Sequence, residues 1–203
     1  MSTTPDFEPE ALAWGKQGGL LPAVVQDAAS LQVLMLGYMD RAALEVTLGT
    51  GLVTFYSRSR QRQWVKGETS GNVLDLVSIE PDCDGDTLLV RAHPRGPTCH
   101  LGRASCFPTA PASMLGQLDA LLAARERERP AGSYSTRLFE GGIRRIAQKV
   151  GEEGVETALA AVAENDEALT GEAADLMFHL LVLLRARGLS LADVDDMLAA
   201  RRG

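Results

Sequence analysis

The chain changes its hydrophobic rhythm at Phe107-Pro-Thr-Ala-Pro-Ala-Ser113, so two separately folded parts are expected. Before this stretch, Leu21–Ala28, Val33–Met39, Leu52–Ser57, Val73–Glu80 and Thr87–Ala92 are apolar or β-branched runs of strand length, bounded by Gly, Pro, Asp and Ser. Asp40 before Arg41-Ala-Ala-Leu-Glu-Val-Thr-Leu-Gly49 reads as the cap of one short helix. After it, Ala, Leu, Glu and Arg dominate, the residues that favour helices. Ser113 is placed to cap a helix running to about Arg129, and Pro130-Ala-Gly132 to end it. Gly142–Glu164 and Asp166–Gly188 carry apolar residues at helical spacing. Ser190-Leu-Ala-Asp193 reads as a capping box opening a last short helix. The expected architecture is a β-rich α+β domain over 1–108, a linker at 109–112 and an all-α domain over 113–203. The apolar stripes of the helical part are wide for its length, which favours burial against a second copy.

Length and charge narrow the function. The 203 residues allow one large domain or two small ones at roughly 100–200 residues each. With 20 Lys+Arg against 27 Asp+Glu the net charge is −7, which argues against a nucleic-acid or membrane-surface binder. Apolar runs fall far short of the ~20 residues that span a bilayer. The start, Met1-Ser-Thr-Thr-Pro-Asp6, has neither a basic nor an apolar signal region, and three cysteines argue against a disulfide framework. A cytoplasmic protein with reduced thiols is expected.

The densest chemical signal is Asp82-Cys83-Asp84-Gly85-Asp86. If extended, it puts three carboxylates on one face and the thiol on the other. Carboxylates suit Mg²⁺ and a thiolate suits Zn²⁺, although an acidic turn with a buried cysteine is the plainer reading. Cys99 and Cys106 complete a set of three thiols with no obvious fourth ligand, as in an open zinc site that activates water. His100, beside Cys99, is the candidate base, and a structural histidine is the alternative. Arg58, Arg60, Lys66, Thr69 and Ser70 supply the cations and hydroxyls that suit phosphate, or else a solvated turn.

Met35-Leu-Gly-Tyr-Met-Asp40, Phe55-Tyr-Ser-Arg-Ser-Arg60, Trp64 with Lys66-Gly-Glu-Thr-Ser-Gly-Asn72, Asp82–Asp86, and Gly96-Pro-Thr-Cys-His100 with Ser105-Cys-Phe107 occur in order. Together they resemble phosphoribosyl-AMP cyclohydrolase of histidine biosynthesis over about residues 12–108. The resemblance implies hydrolytic opening of an N1-substituted adenine ring. It implies zinc on Cys83, Cys99 and Cys106, shared across a dimer with the first cysteine from one chain and the other two from its partner. It implies magnesium on Asp82, Asp84 and Asp86. Arg95 and Leu101 depart from the family's usual residues without touching a ligand.

In the helical part, Glu152, Glu153 and Glu156 lie at helical spacings, and Glu172 and Asp175 repeat an i,i+3 acidic pair among apolar residues. Such acids suit Mg²⁺ and phosphate chemistry, or a solvated face with helix salt bridges. The pattern of Glu153, Glu156, Glu172 and Asp175, with Ser133-Tyr-Ser-Thr-Arg-Leu138, Lys149-Val-Gly-Glu-Glu153 and Glu172-Ala-Ala-Asp-Leu-Met-Phe-His179, resembles phosphoribosyl-ATP pyrophosphatase. It implies magnesium on Glu152, Glu153, Glu156, Glu172 and Asp175, with Glu153 and Glu156 catalytic. Lys149, Arg137 and Arg145 are candidate phosphate contacts, and His179 reads as a supporting or core residue. The whole chain thus resembles the bifunctional enzymes that join both activities, acting as a homodimer on small phosphoribosyl nucleotides. Two rivals are a house-cleaning nucleotide pyrophosphatase and a non-enzymatic scaffold with structural zinc.

Overall fold

A computed structural model describes residues 7–202. Residues 1–6 and 203, which include the start read for an export signal and the outer limits of both expected domains, lie outside the described residues. The chain divides into two compact units between Ser113 and Met114. The first is strand-rich and the second all-helical, the fold class expected.

The first unit holds β1 (Leu21–Asp27), β2 (Val33–Met39), α1 (Arg41–Thr50), β3 (Thr54–Ser57), β4 (Arg62–Val65), β5 (Leu74–Pro81) and β6 (Leu88–Pro94). Four strands form one sheet in the order β2-β1-β6-β5. β1 runs antiparallel to β2, with Leu21 opposite Met39, and parallel to β6, with Ala23 opposite Leu88. Alternation places Leu21, Ala23 and Val25 of β1 and Leu88, Val90 and Ala92 of β6 in one core. In β5 the phase slips at a bulge between Leu76 and Ser78. Leu74 and Leu76 point inward before it and Ile79 after it, while Val77 is left exposed.

Asp40 caps α1, accepting from the Ala43 amide at 2.8 Å. Thr47 ties the helix to β3, donating to Ala43 O at 2.8 Å and accepting from the Thr54 amide at 2.9 Å. The separate β3–β4 hairpin lays Phe55 on the backbone of β2. A Cβ on Gly37 would stand 2.4 Å from that ring, which is why β2 carries glycine there. Two short 3₁₀ turns, Pro9–Ala11 and Trp14–Gln17, precede the sheet. The Ala110 carbonyl accepts from Gln32 Nε2 at 2.9 Å and the Ser113 amide donates to Ser30 O at 2.7 Å, so the Pro/Ala stretch lies along the β1–β2 turn.

The second unit contains α2 (Met114–Glu128), α3 (Tyr134–Ala163), α4 (Asp166–Ala186) and α5 (Leu191–Ala200). Leu122, Leu138, Phe139, Ile146, Leu181 and Val182 form its core. Asp119 binds Arg185 through both oxygens, at 2.7 and 2.5 Å, and accepts from the Leu191 amide at 3.2 Å, joining α2, α4 and the start of α5. Asn165 caps α4, and the expected capping box opens α5.

Three expectations need correction. Asp82–Asp86 is not extended: it is the turn between β5 and β6, closed by Gly85 at φ 71°. The run from Leu52 contributes a strand only from Thr54, and β4, a polar edge strand, was not foreseen. Helix α3 begins at Tyr134 rather than Gly142, with Ser133 as its cap, and breaks at Gly142 (φ 77°, ψ 171°).

Candidate active sites

In the first unit, the β3–β4 hairpin, the 66–72 loop and the 97–106 loop enclose a cavity of about 730 Å³. Arg60, Lys66, Thr69, Ser70, Asn72, Cys99, His100 and Cys106 line it together with Met35 and Trp64. Glycine permits the loops to close. A Cβ on Gly67 would stand 2.3 Å from the Asn72 backbone, and one on Gly96 2.4 Å from Asn72 Oδ1. Asn72 is therefore gripped from both sides. The 99–103 segment turns on itself through Cys99 N–H to Arg103 O and Gly102 N–H to Cys99 O, both 3.0 Å. Cys106 is pinned to β2 by its amide, which donates to Leu34 O at 2.8 Å. Burial pushes the Cys106 thiol up and the neighbouring Cys99 adds to this, while Lys66 and Arg103 oppose it. Lys66 is itself lowered by burial, against the pull of the two thiols.

Not every anticipated residue joins this cavity. The Arg58 guanidinium lies 3.8 Å over the Tyr38 ring, and Arg58 does not line the cavity. Cys83 is exposed in the β5–β6 turn. Among the described residues of one chain, no three-donor cluster contains a cysteine. Cys99 and Cys106 suit a soft cation by donor chemistry, but a third donor has to come from elsewhere.

The β5–β6 turn gathers the oxygens of Asp82, Asp84 and Asp86 within 4.8 Å of one another. Asp82 Oδ1 organises it, accepting from the amides of Asp86 at 3.0 Å and Thr87 at 3.1 Å. Lys16, which belongs to no motif of the sequence, places Nζ 2.5 Å from Asp84 Oδ2 and 3.2 Å from Asp86 Oδ2. The Ala13 amide donates to Gly85 O at 2.8 Å, so the Trp14–Gln17 turn is strapped to the acidic turn. Lys16 holds Asp84 below the usual carboxylate range.

In the second unit, Glu153 and Glu156 from α3 and Glu172 from α4 bring oxygens within 4.8 Å of one another. Glu153 is buried and Glu156 exposed. Glu152 turns aside: Gln148 Nε2 donates to its Oε1 at 2.6 Å and Lys149 Nζ lies 2.9 Å from its Oε2. Lys149 also reaches Glu153 Oε1 at 3.1 Å. Asp175 lines an adjoining cavity of about 520 Å³ with Tyr134, Glu153, Phe178 and His179. Arg137 and Arg145 make local contacts, with Gly132 O and Gln148 Oε1, both at 3.2 Å. Glu172 is pushed up, first by burial and then by Glu156, Glu153, Asp175 and Glu164. A divalent cation would neutralise these crowded hard donors, so the carboxylates fit one. Tyr134 lay within a quoted motif without a role. Its signal is visible only in space, where its hydroxyl meets buried His179.

Comparisons with known proteins follow the same division. Residues 35–108 match the family model for phosphoribosyl-AMP cyclohydrolase, and residues 115–202 that for phosphoribosyl-ATP pyrophosphohydrolase. The histidine biosynthesis bifunctional protein HisIE of Xylella fastidiosa (strain Temecula1) is 68% identical over 198 residues, covering 98% of this chain and 96% of its own. The protein of that name from Shewanella oneidensis is 56% identical over 201 residues, covering 98% and 94%. That from Escherichia coli K12 is 57% identical over 192 residues, covering 94% and 95%. The chain belongs to the family of bifunctional histidine-biosynthesis enzymes, in which a phosphoribosyl-AMP cyclohydrolase domain is followed by a phosphoribosyl-ATP pyrophosphohydrolase domain.

Proposed function

We propose that the two halves act in the reverse of their order in the chain. Residues 113–203 hydrolyse phosphoribosyl-ATP to phosphoribosyl-AMP and pyrophosphate. Residues 1–108, joined by 109–112, then open the adenine ring of that product. The observation that carries this reading is the presence of two separate sites of different donor chemistry, one of thiols and cations and one of carboxylates, each within its own matched region.

In the first step water attacks the α-phosphorus, an O–P bond forms, the α–β anhydride bond breaks and pyrophosphate leaves. Magnesium held by Glu153, Glu156 and Glu172, with Asp175 and Glu152 at its margin, supplies charge neutralisation on the phosphates. Glu153 and Glu156 orient the attacking water and take up its proton. Lys149, already beside Glu152 and Glu153, offers its ammonium to the leaving phosphates.

In the second step water adds at C6 of the N1-substituted adenine and the C6–N1 bond breaks. Zinc held by Cys99 and Cys106, with Cys83 of a second copy, supplies Lewis acidity for the attacking water. His100, next to Cys99 on the cavity wall, removes the water proton. Arg60, Lys66, Thr69 and Ser70 bind phosphate, and Arg58 reaches it only by leaving the Tyr38 ring. A second magnesium on Asp82, Asp84 and Asp86 requires Lys16 to give way.

A homodimer follows from two supports. Cys83 stands apart from the other two thiols, and α3 exposes Val155, Leu159 and Val162 along one stripe. A cytoplasmic location is in keeping with free cysteines and with the finding that no helix of the described residues is long and apolar enough to cross a membrane.

The test uses purified full-length chain with Mg²⁺, Zn²⁺ and phosphoribosyl-ATP. Pyrophosphate release should vanish in Glu153→Ala while added phosphoribosyl-AMP is still opened. Ring opening should vanish in Cys99→Ala while pyrophosphate is still released. Full activity in either variant would overturn the residue assignment.

A further inference from the structure

We propose that Tyr134 and His179 are positioning residues for the pyrophosphohydrolase reaction, holding the Glu153 carboxylate so that its second oxygen faces Glu156 and Glu172. The inference rests on the role given to Glu153 above.

Helix α3 supplies both Tyr134 and Glu153, but its break at Gly142 (φ 77°, ψ 171°) puts them on separate helical pieces. The helical hydrogen-bond ladder therefore does not fix one relative to the other. His179 of α4 connects them. Its Nε2 lies 3.0 Å from the Tyr134 hydroxyl, and its Nδ1 lies 2.9 Å from the Asp175 carbonyl and 3.5 Å from Glu153 Oε1. Both neighbours of Nδ1 are acceptors, so Nδ1 carries the hydrogen. In that tautomer Nε2 is an acceptor, and the Tyr134 O–H donates to it. The phenol thus favours the tautomer in which Nδ1–H donates to the Asp175 carbonyl and the same ring edge stands beside Glu153 Oε1.

Lys149 approaches the same oxygen, Oε1, at 3.1 Å. With Oε1 facing an ammonium and an imidazole N–H, Oε2 is the oxygen free for the cluster. The ring cannot swing away. It stands edge-on to Tyr134 and Phe178, each at an interplanar angle of 86°, with centroids 5.9 and 5.2 Å away. His179 and Glu153 are 4% and 6% exposed. A histidine that only filled the core would satisfy its nitrogens without lying against a buried carboxylate of the acidic trio. Partners that orient metal-binding side chains typically change metal affinity or activity by about 10–100-fold when removed.

The test compares wild type, Tyr134→Phe, His179→Asn and His179→Ala as full chains, with Mn²⁺ as the probe and electron paramagnetic resonance reporting free ion. The helical site is defined as the Mn²⁺ binding lost in Glu153→Gln, and the helical circular dichroism and melting of each variant report that its helical half is folded. Tyr134→Phe keeps the ring and loses the hydroxyl. It should weaken Mn²⁺ binding about tenfold and lower kcat more than KM. Nitrogen-15 spectra should show its His179 drifting from the single Nδ1–H tautomer of wild type. His179→Asn, whose amide N–H stands where Nδ1–H stood, should recover much of what His179→Ala loses. Equal Mn²⁺ binding and an unchanged tautomer in Tyr134→Phe would overturn the inference alone. Absence of a Glu153-dependent Mn²⁺ site in wild type would overturn the carboxylate reading and the inference with it.

Discussion

The two halves of the chain differ in how far each buries its own apolar residues. The strand-rich half closes eighteen buried side chains into one core, whereas the core cluster of the helical half holds six. Of the large hydrophobic residues left exposed among the described residues, six belong to the first half and twelve to the second. Val155, Leu159 and Val162 stand one helical turn apart on α3, at 61%, 55% and 83% exposure. A sheet with a helix on it can satisfy itself at this size. Three long helices with apolar stripes leave part of them exposed. A chain can therefore join one part that closes its own apolar core to one that leaves apolar surface open.

The largest test of that contrast is a cavity in the smaller core. Ile146→Ala should destabilise the helical half by about 2–5 kcal/mol, as for buried Ile or Leu truncations generally. In a melt followed by probes in each half, only the helical transition should drop. A single transition that falls as a whole would mean the halves are not independent. Next, Leu159→Glu places a charge on the exposed stripe. It should weaken self-association by about thirtyfold or more in sedimentation, the loss of one interface hot spot of about 2 kcal/mol. Pyrophosphate release should fall while a Trp14-based melt of the strand-rich half is unchanged.

A smaller effect concerns charge. Burial and neighbouring carboxylates raise the Glu172 pKa in the fold. A raised carboxylate costs stability above its folded pKa, and the cost disappears as pH falls below its unfolded value. Metal-free protein should therefore gain helical-half stability from this group on mild acidification. Glu172→Gln should reproduce the gain at neutral pH and abolish the rise in Tm produced by Mg²⁺. The smallest effect is expected at Lys16. Lys16→Met should raise divalent affinity at the β5–β6 turn by a few-fold, the small effect of a surface ion pair, read by titration calorimetry in a Glu153→Gln background.

The same contrast decides how much could be read from sequence. The buried strands were visible because Leu21, Ala23, Val25 and Leu88, Val90, Ala92 alternate within apolar runs. β4 was invisible because Arg62-Gln-Trp-Val65 is a polar edge strand with no inward alternation to announce it. The first piece of α3 was missed because Gly141-Gly142 interrupts the periodicity that marks the rest. In the acidic turn, residue types predicted the cluster but not its geometry. Asp82 bends the backbone by accepting two amides, and the carboxylates meet across a turn rather than along a strand. Spacing places Glu153 beside Glu156 and Glu172 beside Asp175, but only the packing of α3 on α4 brings Glu172 to Glu153 and Glu156, and the Glu152 side chain is taken by Lys149 and Gln148, a competition among neighbours that no spacing rule encodes. Tyr134 and His179 are 45 residues apart, so their meeting belongs to tertiary structure alone.

The parallel pairing of β1 with β6 bears on the order in which the molecule can assemble. Ala23 finds its partner Leu88 only after five intervening elements have been made, and the centre of the sheet is the β1–β6 seam. Non-local strand pairing is slow, because loop closure precedes any gain from contact, while helices that neighbour one another in sequence dock quickly. As the chain leaves the ribosome, β1 and β2 can form a hairpin, yet β1 keeps an open edge until residues 88–94 emerge. That open edge can template mispairing until the sixth strand arrives.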